Sequence, residues 1–349
     1  MSEAIVVKSV SHYRAALAWS AAAGAGWVFV LVMLGAFTTS IGAGMVFQDW
    51  PLSNGSLNPA GWLQNIAMFA EHAHRLSAGL MSAITLWLAA ALWRCEERRW
   101  LRRLGWFAVV LVVLQAVLGG LRVLLDSVSV PAVDTNLGQI LAMLHACLAQ
   151  SFVCVLLAIA AALSRPWIEG GAQGSPAGGR RPRWIGILCC GLLLAQLAIA
   201  AVMRHSFAGL AIPTFPLTPD GGLLPAQWDF GVRIHFAHRA MALVLAVALG
   251  WLIVAVWRDT AAGSARKVIA GLVGLLLLTQ ITLGANVIWS ARNAYFTTAH
   301  VVVGAMTLAA TFLLTWMIHR DQLESLEEGR VRIPRDRRGP AAPRSLIRA

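Results

Sequence analysis

Two related segments, EHAHR at residues 71–75 and HFAHR at residues 235–239, each lie inside a long apolar run. About 20 apolar residues are enough for a helix to cross a lipid bilayer. Because hydrocarbon offers the backbone no hydrogen-bond partners, long runs without strict alternation favour helices over strands. The two segments therefore predict an all-α integral membrane protein, with one copy of the segment in each of two transmembrane helices.

The composition also predicts a membrane protein. Of the residues, 58% are hydrophobic and 13% are charged, against about 25% charged in a typical soluble domain. The formal net charge is +12, but the 28 Lys and Arg residues lie in short clusters between the apolar runs. Clusters of this kind determine membrane topology. We therefore expect the lipid bilayer as the surroundings and no nucleic-acid partner, and we exclude water-soluble and disordered proteins.

Apolar runs separated by charge, proline or glycine predict eight transmembrane helices, at residues 15–39, 64–93, 104–126, 138–163, 184–204, 230–257, 266–290 and 293–318. Every second connection is rich in basic residues. The other connections contain few basic residues, and these lie near the ends of the connections: Arg122, Arg204, Arg233 and Arg292. Because basic loops stay on the cytoplasmic side, both termini are predicted to be cytoplasmic.

The second half of the chain resembles the first. Placed on one another, the halves align residues 43–45 with 208–210, 50–52 with 215–217 and 73–75 with 237–239. We therefore predict two repeated four-helix bundles in the same orientation. The predicted organisation is a cytoplasmic N-terminus (1–14), an N-terminal half (15–163), a cytoplasmic linker (164–183), a C-terminal half (184–318) and a basic cytoplasmic tail (319–349).

Four histidines occupy predicted helices 2, 4, 6 and 8, two in each half: His74, His145, His238 and His300. Each lies roughly 10 to 15 Å inside its helix, at 1.5 Å per residue. Facing imidazoles can hold a haem iron from both sides, so the pattern predicts one haem-iron site in each half. Zinc fits less well because it usually takes three or four converging ligands. A lone intramembrane histidine is often a packing residue, and we expect that role for His72, whose counterpart is Phe236.

The halves differ one helical turn before the first histidine, where Glu71 corresponds to His235. A carboxyl in apolar surroundings suits proton transfer or stabilisation of a developing cation. Glu71 is therefore the predicted catalytic residue, and a buried hydrogen-bonding role is the alternative. Arg75 and Arg239 follow the histidines and are predicted to bind haem propionates, with snorkelling toward the headgroups as the alternative.

These elements together resemble the haem A synthase family. The resemblance rests on the segments 71–75 and 235–239, the single histidines in helices 4 and 8, and the paired Pro-Leu segments of the outer connections. It covers all eight predicted helices. It implies an oxidoreductase that oxidises the C8 methyl group of haem O to the formyl group of haem A, by successive hydroxylation, for use in cytochrome oxidase.

Residue by residue, the resemblance implies that His74 and His145 bind the iron of the substrate haem O, with Glu71 near the methyl group. It implies that His238 and His300 bind the iron of a haem b cofactor. Haem O synthase and an electron acceptor are the implied membrane partners, and the bacterial plasma membrane is the implied location.

Two other functions stay open from the residues alone. A b-type cytochrome with two histidine pairs would carry electrons without modifying haem. A transporter built from repeats would need a site open alternately to both sides, and the clustering of the histidines toward one side argues against it. Some haem A synthases carry a cysteine pair in the first outer connection, whereas residues 45–59 contain none. Thiol-based electron input through this connection is therefore not expected.

Overall fold

The computed structural model describes residues 11–131, 135–169, 180–260 and 262–328. Its elements are α1 (Ala15–Ser40), α2 (Ile66–Cys95), α3 (Arg99–Leu124), β1 (Ser129–Val130), β2 (Thr135–Asn136), α4 (Leu137–Leu163), α5 (Arg165–Glu169), α6 (Arg180–His205), a 3-10 turn (Ala208–Leu210), α7 (Phe230–Arg258), α8 (Ser264–Trp289), α9 (Ala294–Ile318) and α10 (Arg320–Glu328). Within the described ranges, eight helices are long and apolar enough to cross a membrane. An all-α, multi-pass membrane protein is thereby confirmed.

The predicted spans agree with the observed helices to within four residues, except at the start of α3. That helix begins at Arg99 rather than at residue 104, because arginine is a good helix former and its long side chain reaches water from a helix end. The small hairpin β1–β2 and the short helices α5 and α10 were not predicted. Residues 1–10, most of the predicted linker and the tail from residue 329 lie outside the described ranges.

Helices α4 and α9 lie at the centre of the bundle. Half of the residues in the most apolar stretch of each are buried, against a third or fewer in the other spans. The N-terminal and C-terminal groups of helices meet where α1 packs on α9, α4 on α6 and α4 on α9. Large apolar side chains such as Leu243 and Val268 are exposed on the outside of the bundle, as expected for a surface in contact with lipid.

The bundle has two ends, which we name by what lies there. The loop end carries the first loop, residues 41–65, and the second loop, residues 206–229. The terminal end carries residues 11–14 and α10. Each of the four helices that start at the loop end is capped by an Asn or Asp side chain that accepts a backbone N–H bond: Asn65 for α2, Asn136 for α4, Asp229 for α7 and Asn293 for α9. Such caps fix where a helix begins.

A buried ion network holds the terminal end together. Arg98 is 0% exposed. It donates from Nε and Nη2 to Glu96 at 2.9 and 3.0 Å and from Nη1 to Glu324 of α10 at 2.9 Å. Glu324 also accepts a bond from Nε1 of Trp167 at 2.6 Å. Burial opposes ionisation of Glu96, but the hydrogen bonds and charge of Arg98 outweigh it and lower the pKa of Glu96. The network fastens α10 to the N-terminal helices.

We expect Arg98→Ala to lower the free energy of unfolding by about 3–5 kcal/mol, because two carboxylates would stay buried without their partner. Thermal unfolding in detergent micelles measures this as a lower Tm. Arg103→Ala, at an exposed position of α3, is the matched control and should change the Tm little. An unchanged Tm for Arg98→Ala would contradict the importance of the network.

Candidate functional site

The four predicted histidines lie at similar depths because their helices begin with similar caps. His74, His145 and His238 each follow the cap residue of their helix by nine positions, and His300 follows its cap by seven. At 1.5 Å per residue, the imidazoles lie about 10–14 Å from the loop end. The structure brings them together in two pairs, His74 with His145 and His238 with His300.

The ring centres of His238 and His300 are 6.3 Å apart, and the rings are tilted by 61°. Two imidazoles on opposite sides of one metal ion need about 2 Å for each metal–nitrogen bond and about 1 Å from each nitrogen to its ring centre, together about 6 Å. Nδ1 of His300 is buried and has no hydrogen-bond partner within the described residues. The spacing of the two rings fits a metal ion held between them.

In the other pair, Nδ1 of His145 lies 3.1 Å from the backbone carbonyl oxygen of Gln115. A carbonyl oxygen only accepts, so this nitrogen carries the proton and Nε2 keeps its lone pair. Nδ1 of His74 is buried, and no described residue bonds to it. A histidine that ligates a metal typically has its other nitrogen fixed by a carbonyl, and His145 already has this arrangement.

Glycines on neighbouring helices leave room for three of the rings. A Cβ atom added at each glycine would lie closer to Cε1 of a histidine than an ordinary van der Waals contact allows. The distances would be 2.8 Å from Gly35 to His74, 3.3 Å from Gly119 to His145 and 3.1 Å from Gly284 to His300. A larger residue at these positions would displace the imidazoles. The small residues therefore set the position of the rings.

Three glutamines also contact the histidines and were not predicted as site residues. The Nε2 atom of Gln115 donates to the backbone oxygen of His145 at 3.0 Å. Gln196 lies 3.1 Å from Nδ1 of His238, and Gln280 lies 3.3 Å from Nε2 of His300. Because an amide presents its nitrogen or its oxygen after a half-turn, the side chains of Gln196 and Gln280 can serve either tautomer of the ring they contact.

Glu71 and Arg75 hold the first loop against α2. The side chain of Glu71 is 5% exposed, and its Oε1 pairs with Nη2 of Arg75 at 2.5 Å. Its Oε2 accepts the backbone N–H groups of Val46 at 2.8 Å and Phe47 at 3.1 Å. Arg75 in turn donates to backbone carbonyls of the loop, those of Phe47, Asp49 and Leu52. We call the Glu71–Arg75 pair the loop clamp.

His235 and Arg239 form the corresponding arrangement with the second loop. Nδ1 of His235 lies 3.2 Å from the backbone N of Ile212, and its Nε2 lies 3.2 Å from Nε of Arg239. Arg239 donates to the carbonyls of Ile212 and Thr214. A neutral imidazole has one lone pair in its ring plane, so only one of the two N–H groups can be accepted at a time. The carboxylate of Glu71 accepts all of its donors at once.

The rest of the first loop is also ordered by side chains. His72 bonds through Nδ1 to Ser53 at 2.9 Å and through Nε2 to the carbonyl of Leu57 at 3.2 Å, in agreement with the structural role expected for it. Asp49 accepts the backbone N–H of Gly55 at 2.7 Å. Backbone hydrogen bonds, that of Gly55 above all, lower the pKa of Asp49 and keep it ionised.

Comparison with known proteins identifies the relatives of this chain. A family model described as cytochrome oxidase assembly protein, COX15-CtaA, matches residues 17–312. The heme A synthase of Geobacillus kaustophilus is 29% identical over 293 residues, 81% of this chain and 86% of that protein. The heme A synthase of Bacillus licheniformis is 28% identical, over 78% of this chain and 86% of its own. That of Rhodospirillum centenum is 27% identical, over 84% and 85%.

We expect Glu71→Ala to loosen the first loop, because Val46 and Phe47 would lose the acceptor of their N–H bonds. Hydrogen–deuterium exchange measured by mass spectrometry should show faster exchange in peptides that cover residues 43–53. Peptides that cover residues 208–217, held by His235 and Arg239, are the internal control and should exchange as in the wild type. Unchanged exchange in both loops would contradict the loop clamp.

Proposed function

The chain belongs to the COX15-CtaA family of cytochrome oxidase assembly proteins, and we propose that its two histidine pairs bind two haems, of which only the N-terminal one is altered. Its function is that of a haem A synthase, an oxidoreductase that converts haem O to haem A. The family match carries this conclusion. The pairing of the histidines and the 6.3 Å spacing of one pair support the proposed places of the haems.

In the C-terminal half, His238 and His300 would hold the iron of a haem b cofactor. Haem iron with two imidazole ligands supplies one-electron transfer. The residues of this chain keep the two rings facing one another, and Gln196 and Gln280 fix their orientation through side-chain contacts. Arg239 stays a predicted partner of a propionate of this haem, since its Nη1 makes no hydrogen bond to a described residue.

In the N-terminal half, His74 and His145 would hold the iron of the substrate haem O, with Arg75 as a predicted propionate partner. Glu71 is the proposed catalytic residue: its buried carboxylate lies one turn from His74 on the same helix face. Both of its oxygens are engaged in the loop clamp. Its Oε1 accepts one bond, from Arg75, and so keeps a lone pair that could accept a proton, while Oε2 holds the first loop through Val46 and Phe47.

The two halves are proposed to be repeats related by an axis along the membrane normal. Each packed pair of neighbouring helices in residues 15–163, α1–α2, α2–α3, α3–α4 and α1–α4, has a counterpart in residues 184–318, α6–α7, α7–α8, α8–α9 and α6–α9. The arginine-rich connections lie at the terminal end, which supports cytoplasmic termini, a cytoplasmic linker at 164–183 and a cytoplasmic tail at 319–349. The loop end would then face the periplasm of a bacterial plasma membrane.

The reaction also implies partners. Oxidation of the C8 methyl group to a formyl group adds an oxygen atom and removes electrons and protons, and we propose that an acceptor in the membrane takes these electrons. The substrate must reach the site from the protein that makes it, which we propose to be haem O synthase. Both partners would meet this chain in the plane of the bilayer, because haem O is strongly apolar.

We expect cells that make haem O to produce haem A, or its hydroxylated precursor, only when this protein is present, as measured by extraction and chromatography of the haems. Glu71→Ala should abolish conversion while leaving the haem b spectrum intact. Glu71→Gln keeps hydrogen-bonding capacity without the charge, so it should also abolish conversion if the carboxylate acts chemically. Conversion by Glu71→Gln at the wild-type rate would restrict Glu71 to the loop clamp.

The haem type in purified variants assigns the two sites. We expect His238→Ala to lose haem b and His74→Ala to retain it while losing haem O and haem A, because each variant removes one axial ligand from a different half. Absorption spectra and chromatography of the extracted haems measure both. Loss of the same haem in both variants would contradict separate sites, and wild-type protein without a Soret band would contradict haem binding altogether.

A further inference from the structure

Three arginines at the loop end are partly buried and have no acidic partner within ion-pair distance in the described part of the chain. They are Arg122 in the last turn of α3, Arg204 near the end of α6 and Arg292 between α8 and α9. Arg204 donates only to neutral oxygens of α1, those of Ala36 at 3.0 Å and Ser40 at 2.9 Å. A guanidinium removed from water is costly unless an anion compensates it. The loop end therefore carries uncompensated positive charge.

Arg122 and Arg292 occupy matching places in the two halves. The guanidinium of Arg122 packs against Gly44 of the first loop, where an added Cβ would lie 2.5 Å from its Nη2. The side chain of Arg292 packs against Gly209 of the second loop, where an added Cβ would lie 3.7 Å from Cδ of Arg292. Gly44 and Gly209 are aligned by the sequence comparison of the halves, whereas the two arginines are not. Each half thus places an arginine beneath its own loop by a different route.

Two of the three arginines, Arg122 and Arg204, are close enough to the histidine pairs to act on them electrostatically. Arg122 is in electrostatic range of both His74 and His145, and Arg204 is in range of His300. Arg204 is also in electrostatic range of Arg122 and Arg292. The acidic groups that act on Arg122, Glu71 and Asp126, do so from beyond ion-pair distance, and Glu71 is engaged with Arg75.

The arginines of the two loop arrangements are less available to an anion. Arg75 uses four of its N–H groups on Glu71 and on loop carbonyls, of the five that a guanidinium has. Arg239 uses three of its own. Arg122 and Arg292, in contrast, make no side-chain hydrogen bond to any residue in the described ranges. Their donors are free for a ligand.

We propose that these arginines bind the carboxylates of the two porphyrins, Arg122 for the haem of the N-terminal half and Arg292 for the haem of the C-terminal half, with Arg204 between them. The proposal rests on the haem sites proposed above. It directs the carboxylate edge of each porphyrin toward the loop end. A lipid phosphate has the same charge chemistry, but Arg122 and Arg292 lie beneath the loops and Arg204 lies against α1, inside the bundle.

The test compares haem b with its dimethyl ester, in which both carboxylates are blocked. Protein is purified from haem-depleted cells, and binding of each probe is followed by the Soret band. We expect wild-type protein to bind the free acid about tenfold or more tightly than the ester, the effect of at least one charge-assisted hydrogen bond. In Arg292→Gln the ratio of the affinity for the free acid to the affinity for the ester should fall toward one. The reason is that the acid loses affinity and the ester does not.

Arg233→Gln is the matched control, because Arg233 is exposed at the same end of the bundle, and it should keep the wild-type preference. Arg292→Lys keeps the charge and should retain part of the preference, which separates charge from folding. Equal loss of acid and ester binding in Arg292→Gln would mean a structural role and overturn the proposal. An unchanged preference with altered phospholipid content would mean a lipid site and overturn it too.

Arg122→Gln extends the test to the other half: haem O should be lost from the purified protein while haem b is retained. Loss of haem b instead would overturn the assignment of Arg122. These readouts do not depend on catalysis. If the acid–ester preference is found but no haem A is formed, the proposed function fails and the arginine assignment stands. If haem A is formed but the preference is absent, the arginine assignment fails and the proposed function stands.

Discussion

Inside hydrocarbon, a polar side chain has to find its partner in the protein, since neither water nor lipid tails provide one. This constraint explains the most ordered parts of the structure. Glu71 meets Arg75, Arg98 meets Glu96 and Glu324, and the backbone groups of the loops meet side chains of α2 and α7. Some buried polar atoms still lack a hydrogen-bond partner among the described residues, and Nδ1 of His74 and Nδ1 of His300 are among them.

The two halves hold their loops in the same way but with different chemical groups. Both hold a loop over a histidine pair by means of an arginine four residues after an acceptor. In the first half the acceptor is a carboxylate, which carries charge and accepts several bonds at once; in the second half it is an imidazole, which accepts one. Among the described residues, Glu71 is a buried acid near the first histidine pair, and the imidazole of His235 stands in its place in the second half.

The sequence was sufficient for the spans, and it singled out the four histidines that the structure brings into two pairs. Run length predicts a span without any knowledge of packing, and the repeated positions of His74 and His238 distinguish them from ordinary packing residues. The partners of Glu71 were not predictable, because they lie in a loop whose path depends on the fold. Gln115 and Gln280 do align between the halves and carried a usable signal. Arg122 and Arg292 do not align, so their common position was visible only in three dimensions.

The network at the terminal end also bears on the order in which the chain is made. Nη1 of Arg98 and Nε1 of Trp167 share one acceptor, Oε1 of Glu324, and Glu324 is synthesised after the last of the eight spans. Until then the early half of the nascent chain has two buried donors without their acceptor. These two donors gain their shared acceptor only when α10 has been made, so the terminal end is completed by the last described helix of the chain.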